Sequence, residues 1–166
     1  MSKHDKKDDG KAKDKKVVKL DDWQPARTPS PVPQVKATWR ADEAAHDYPA
    51  AANYLELIAD PKTVDKLVQD LKNAKIEHFR ANDLLRAARL ELLPFDDLRV
   101  RADLVKIMTG VPLSPVLIVR GDMLNGYPLT IADGYHRVCA SYQLFEGTYV
   151  PAKVVDLPVK EKLSGT

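Results

Sequence analysis

The sequence predicts an α+β fold: a small mixed sheet with packed helices, preceded by a helical extension and a disordered N-terminal tail. Three observations predict it. Residues 1 to about 40 are dominated by Lys, Asp and Pro and offer little apolar surface. Between Pro49 and Leu90 apolar residues recur at helical spacing. From Leu90 onward, short β-branched runs alternate with helical stretches and turns, the pattern of a sheet with helices laid on it. The expected division is a tail at 1–40, a helical extension at 41–89, a sheet domain at 90–157 and a C-terminal tail at 158–166.

In the tail, Met1 to Leu20 is mostly Lys and Asp, and Pro25 to Pro33 carries four prolines. Such a segment cannot bury enough apolar surface to offset its ordering entropy. Its aspartates cancel most of its lysines, so a solvated tail is expected rather than a nucleic-acid arm. Trp23 and Trp39 are its exceptions: either can dock on the domain or on a partner, and the ordinary reading of Trp39 is a residue packed at the domain edge.

The extension begins with Tyr54, Leu55 and Ile58 at helical spacing, stopped at Asp60-Pro61. Pro61 then suits the first turn of a second helix, with Val64, Leu67, Val68 and Leu71 on one face. A third amphipathic segment runs from Ala81 to Leu90, with Leu84, Leu85 and Ala88 inward and Arg86 and Arg89 outward. These stripes are read as core of a helical subdomain or as a homodimerisation face through the 49–90 helices.

In the second half, Leu90 to Leu93 is a short apolar piece ended by Pro94, the first strand in an expected order of strand, helix, strand, strand, helix, strand. Arg101 to Met108 fits a helix with Leu104, Val105 and Met108 inward and Gly110 at its exit. Pro115 to Val119 reads as a buried strand, Gly121 to Gly126 as a turn, and Tyr127 to Ala132 as a second strand. A helix follows from Tyr135 to Phe145, then a last strand from Val150 to Val155.

The bulk numbers exclude several classes. With 26 basic and 24 acidic residues the net charge is +2, a near balance that gives no strong expectation of nucleic-acid binding, which usually shows a basic face. The single cysteine, Cys139, rules out an intramolecular disulfide framework and suits a reducing compartment. No apolar run approaches the roughly 20 residues of a membrane span, and the lysine-bearing N-terminus has no apolar core of a secretory signal. A cytoplasmic protein without a membrane partner is expected.

Chemistry concentrates at Asp133-Gly134-Tyr135-His136-Arg137, where a strand turns into a helix. A helix N-terminus offers unpaired N–H groups and partial positive charge, which favour anions. Asp133 can cap the helix, and Gly134 allows an unusual backbone angle and close approach of a ligand. Tyr135 can cover a ring, Arg137 can bind two phosphate oxygens, and His136 is a third donor or a proton carrier. A purely structural turn, with His136 satisfying a buried carbonyl, remains the alternative.

From about Leu90 to Asp156 the chain resembles the ParB/sulfiredoxin-like superfamily of ParB-like nuclease domain proteins. The resemblance rests on Pro-Leu-Ser-Pro-Val-Leu-Ile-Val-Arg-Gly at 112–121, Thr-Ile-Ala-Asp-Gly-Tyr-His-Arg-Val-Cys-Ala at 130–140 and Thr-Tyr-Val-Pro-Ala-Lys-Val-Val at 148–155. It implies a strand leading into a Gly-x-His-Arg turn that holds nucleotide phosphates at Gly134, Tyr135, His136 and Arg137. It also implies nucleotide contacts from the preceding helix, which offers Arg99, Arg101 and Lys106.

Departures narrow what the resemblance implies. Tyr135 stands where sulfiredoxins carry their catalytic cysteine, so thiol chemistry is not expected, and Cys139 is expected in the core. The paired arginines and second nucleotide motif of ParB-type partition proteins are missing. About ten residues follow the last strand, so no DNA-binding domain and no specific DNA binding are expected. The Asp-Gly-x-His-Arg form is similar to that of nucleotide-dependent free-serine kinases, which would place Asp133 near a reacting hydroxyl as a catalytic residue. An upstream acidic base would then be Glu91, with Asp96 and Asp97 as alternatives.

The expectation is therefore a nucleotide- or phosphate-binding protein, its cofactor ATP, ADP or CTP with Mg²⁺. Two alternatives stand beside it. One is an enzyme of phosphoryl transfer to a small hydroxyl acceptor, or of phosphodiester hydrolysis. The other is a non-catalytic protein-interaction module. No resident metal site is expected.

Overall fold

A computed structural model describes residues 35–158. Most of the expected N-terminal tail, with Trp23, and nearly all of the C-terminal tail lie outside the described residues. The described chain runs α1 (Asp47–Leu55), α2 (Pro61–Asn73), β1 (Ile76–Arg80), α3 (Ala81–Ala88), α4 (Leu98–Met108), β2 (Val116–Val119), β3 (Thr130–Asp133), α5 (Tyr135–Leu144) and β4 (Tyr149–Val155). It is an α+β structure with five helices and one four-stranded mixed sheet among the described residues.

Strand order is β1-β4-β2-β3. β2 runs parallel to β4, with Val116 opposite Ala152 and Val119 opposite Val155. β1 and β3 are antiparallel edges on β4 and β2 respectively. Strand side chains alternate between faces, and the sequence uses both. Val116, Ile118, Val150 and Ala152 join the core beneath α3, α4 and α5. Leu117, Val119 and Val155 join a second core beneath α1 and α2. The sheet is therefore the middle of three layers.

The helices start where their caps put them. The Asp60 carboxylate accepts from Thr63 N at 3.1 Å, and Pro61 fills the first turn of α2. Asp97 accepts from the amides of Arg99 and Val100, both at 3.0 Å, and so begins α4 at Leu98 rather than Arg101. The early start comes with a different inward face. Val100, Asp103 and Ile107 are buried, whereas Val105 and Met108, expected inward, are 51% and 73% exposed. The second strand is also shorter than expected, because Asp122 and Tyr127 bridge across a turn before Thr130.

The larger correction concerns residues 76–93. Leu90 to Leu93 is not a strand: α3 ends at Arg89 in a left-handed conformation (φ 55°), and Pro94 follows. The first strand is instead β1, Ile-Glu-His-Phe-Arg, whose exposure follows no alternation. An edge strand is held by backbone bonds to one neighbour and tolerates charged side chains, so apolar patterning did not reveal it.

With β1 in the sheet, residues 41–89 are no appendage. Val64, Leu67 and Leu71 of α2 and Leu55 of α1 are buried against β2 and β4 residues. Of the two readings of these stripes, subdomain core or dimerisation face, they serve as core within the chain, while Tyr54 and Ile58 point outward. Residues 38–40, assigned to the tail, pair with the segment before β2. Leu113 N donates to Thr38 O at 2.9 Å, Arg40 N donates to Leu113 O at 2.8 Å, and Trp39 packs at the core edge. Among the described residues, no helix is long and apolar enough to cross a membrane.

Candidate anion-binding site

The chain passes from β3 to α5 through Gly134, whose φ of 104° is left-handed. A Cβ there would lie 2.9 Å from Val116 Cγ2 and 3.0 Å from Arg137 Nη2. Glycine is therefore required, and what approaches it is the chain's own Val116 and Arg137 rather than a ligand. Gly134 occupies the cap position of α5, and no side chain caps the helix. Asp133, expected as the cap, belongs to β3 and turns to Arg137 instead. The first-turn amides of α5 are left for an external acceptor.

Arg137 is more enclosed than a free clamp. Its Nη1 donates to Ser114 O at 3.2 Å and lies 3.5 Å from Asp47 Oδ1, while Nη2 pairs with Asp133 Oδ2. The Arg137 side chain is 11% exposed, that of Asp47 2% and that of Asp133 21%. Asp47 is fixed in turn, its Oδ2 accepting from Ala44 N at 2.7 Å, with His46 Nε2 3.4 Å from its Oδ1. One guanidinium thus ties α1, the approach to β2, β3 and α5 together. Burial pushes the Asp133 carboxyl above its ordinary pKa, the Arg137 guanidinium pulls it back, and the Asp47 charge raises it again.

Beside this cluster opens a cavity of about 540 Å³, within the size range of small-ligand sites. Gly134, His136 and Arg137 line it from α5, Asp133 from β3, Asp47 and His46 from the start of α1, and Arg40 from the segment before it. From α4 come Arg99, Asp103 and Lys106, spaced to share one helix face. Lys106 Nζ donates to Asp103 Oδ1 at 2.8 Å. Arg40 and Arg99 have no carboxylate within ion-pair distance among the described residues.

Of the residues expected at the site, Asp133, Gly134, His136, Arg137 and Lys106 meet at the cavity, and Arg99 joins them. Arg101 does not line it, because two residues beyond Arg99 on a 100° helical step faces away. Tyr135 does not line it either. Its hydroxyl donates to Glu91 O and its ring packs on the α3–α5 core, so it cannot cover a ligand ring there. Glu91, Asp96 and Asp97 lie outside the lining. Asp97 is spent on capping α4, and the bond from Val100 N holds its pKa below the usual carboxylate range. Cys139 is fully buried, and burial raises its thiol pKa, as suits a core residue.

Asp47 and Arg40 are the residues that sequence reasoning missed. Asp47 looks like an ordinary acidic residue in a first helical turn, and no local spacing ties it to a partner 90 positions later. Comparisons with family models, with curated proteins and with solved structures give no match. Among the described residues, no group of three or more His, Cys, Asp or Glu is placed to hold a metal ion.

Proposed function

We propose that this chain is a ParB/sulfiredoxin-like domain that binds a nucleotide or another phosphate ligand, with ATP, ADP and CTP as the candidates. The phosphates sit against the first turn of α5. The observation that carries this reading is the convergence of the uncapped α5 N-terminus, His136, Lys106 and Arg99 on one 540 Å³ cavity. The sequence resemblance at 112–121, 130–140 and 148–155 supports it independently.

Arg137 serves this site by positioning. Held by Asp47, Asp133 and Ser114 O, it fixes the strand-to-helix turn at which Gly134 and His136 line the cavity. His136 and Lys106 then supply the adjustable donors. The carboxylates of Asp47 and Asp133 are occupied by Arg137 and form no protein cage for Mg²⁺. A Mg²⁺ ion would arrive on the phosphates and keep most of its waters, its usual habit in nucleotide sites.

Phosphoryl transfer to a small hydroxyl acceptor is the second reading. It is favoured by Asp133, a carboxyl lining the cavity that the resemblance places near a reacting hydroxyl, and whose burial raises its pKa. Phosphorus NMR of the protein with ATP and a panel of amino acids tests it, and unchanged turnover in Asp133→Asn would remove Asp133 from that role.

The binding reading is tested by calorimetric titration with ATP, ADP and CTP, each with and without Mg²⁺, on the wild type and His136→Ala. Binding by the wild type, weakened several-fold in the variant, is expected. Absence of heat with every nucleotide refutes the reading.

A further inference from the structure

Independently of the phosphate-binding reading, we infer that the outward face of α4 is a docking surface for a partner protein, which it receives through an acidic amphipathic helix. That face is anomalous for an exposed helix. Val100 and Ile107, on the inner side, share a core cluster with Val138 and Cys139 of α5, the principal neighbour of α4 within the chain. Leu98, Val105 and Met108 nevertheless stand outward, Leu98 being 82% exposed. A helix that is apolar on both sides is ordinarily covered on both. A group of large exposed apolar side chains marks an interaction surface.

Seven residues return a helix to within about 20° of its start, so Leu98 and Val105 lie in line, with Met108 about 60° to one side. Arg101 shares that side. It faces away from the cavity and has no carboxylate within ion-pair distance among the described residues. Phe95, exposed in the turn that enters α4, adds a further large apolar side chain at that end.

An apolar strip with an unmatched guanidinium beside it fits a helix that carries apolar residues on one face and carboxylates along its edge. A second copy of this chain fits badly, because antiparallel α4 helices crossing at the strip bring Arg101 against Arg101. A lipid surface also fits badly. Asp96 and Asp97 stand between Phe95 and Leu98 and would enter an anionic headgroup layer with them.

The test is fluorescence anisotropy with two labelled peptides of roughly 20 residues, long enough to hold a helix in water. Each carries leucine on one face, with either glutamate or lysine along both edges. The wild type should bind the glutamate peptide at least tenfold more tightly than the lysine peptide. Val105→Gln/Met108→Gln should weaken binding of the glutamate peptide at least tenfold, and Arg101→Glu should remove the preference between the two. The substituted residues are exposed, so melting temperatures should match the wild type; if the double variant melts lower, Leu98→Gln reads the same strip. No binding of either peptide by the wild type, or a glutamate preference that survives both variants, overturns the proposal. A dimer in sedimentation equilibrium that the strip variant abolishes also overturns it, by assigning the face to a second copy. Binding to phosphatidylserine vesicles lost in the same variant does so by assigning the face to lipid.

Discussion

Replacing Arg137 by methionine should destabilise the fold severely, for a reason located in two carboxylates rather than in the arginine itself. Asp47 and Asp133, 2% and 21% exposed, lose their shared counter-charge, and Ser114 O loses its donor. Removing one partner of a buried ion pair costs about 3–5 kcal/mol, because the other charge stays desolvated and unpaired. Set against a typical total stability of roughly 5–15 kcal/mol, that is a large share. In a chain of this size it lowers the melting temperature by roughly 6–20 °C. Urea unfolding followed by far-ultraviolet circular dichroism reads the loss directly. Arg137→Met/Asp133→Asn should recover part of it, with a coupling of about 0.5–3 kcal/mol between neighbours in one network. A loss below about 1 kcal/mol would refute the reasoning: the pair would then behave as solvent-screened, as surface pairs do, and Arg137 would be free to grip a ligand itself.

Three further outcomes follow from the same geometry. Gly134→Ala should lose about 1–3 kcal/mol in urea unfolding, since its methyl must sit in a left-handed backbone 2.9 Å from Val116 Cγ2. Lys153 Nζ lies 3.0 Å from Glu43 Oε2, the side chains 9% and 2% exposed, and it also donates to Tyr48 at 3.0 Å. Lys153→Met should therefore cost about 3–5 kcal/mol, much of it recovered in Lys153→Met/Glu43→Leu, as expected where an apolar pair replaces a buried ionic one. The pH dependence should separate two kinds of carboxylate. Asp133, with its pKa raised, binds its proton more tightly folded than unfolded, so its contribution falls as pH rises from the ordinary carboxylate range through the raised value. Asp97, with its pKa lowered, contributes above that range and loses its contribution as pH falls through the depressed value. Stability measured across acid pH should lose the first slope in Asp133→Asn and the second in Asp97→Asn.

What could be read from the sequence was what is local. The α2 stripe of Val64, Leu67 and Leu71, the Asp60-Pro61 start, the buried Val116–Val119 strand and the turn into α5 all follow from propensities and periods within a dozen residues. The failures were of tertiary origin. β1 is held by pairing with β4, some 70 positions away in the chain, and its own residues show no period. The inward face of α4 depends on the Asp97 cap and on which side meets α5. At the site, the turn residues were legible because glycine and the helix start leave a local mark. Arg137's engagement was not, because Asp47 and Ser114 reach it from distant segments. The same long-range folding drew Tyr135 against the core, whereas Arg101 faces away from the cavity by its place on the α4 turn.

Whether phosphates rest at the N-terminus of α5 can be read from a crystal structure of the protein with ADP and Mg²⁺. Phosphate density is expected within hydrogen-bond distance of the first-turn amides of α5, with His136 and Lys106 drawn to its oxygens and Arg137 still on Asp47 and Asp133. Density for the nucleotide elsewhere on the protein, with the α5 N-terminus holding only water, would contradict that placement.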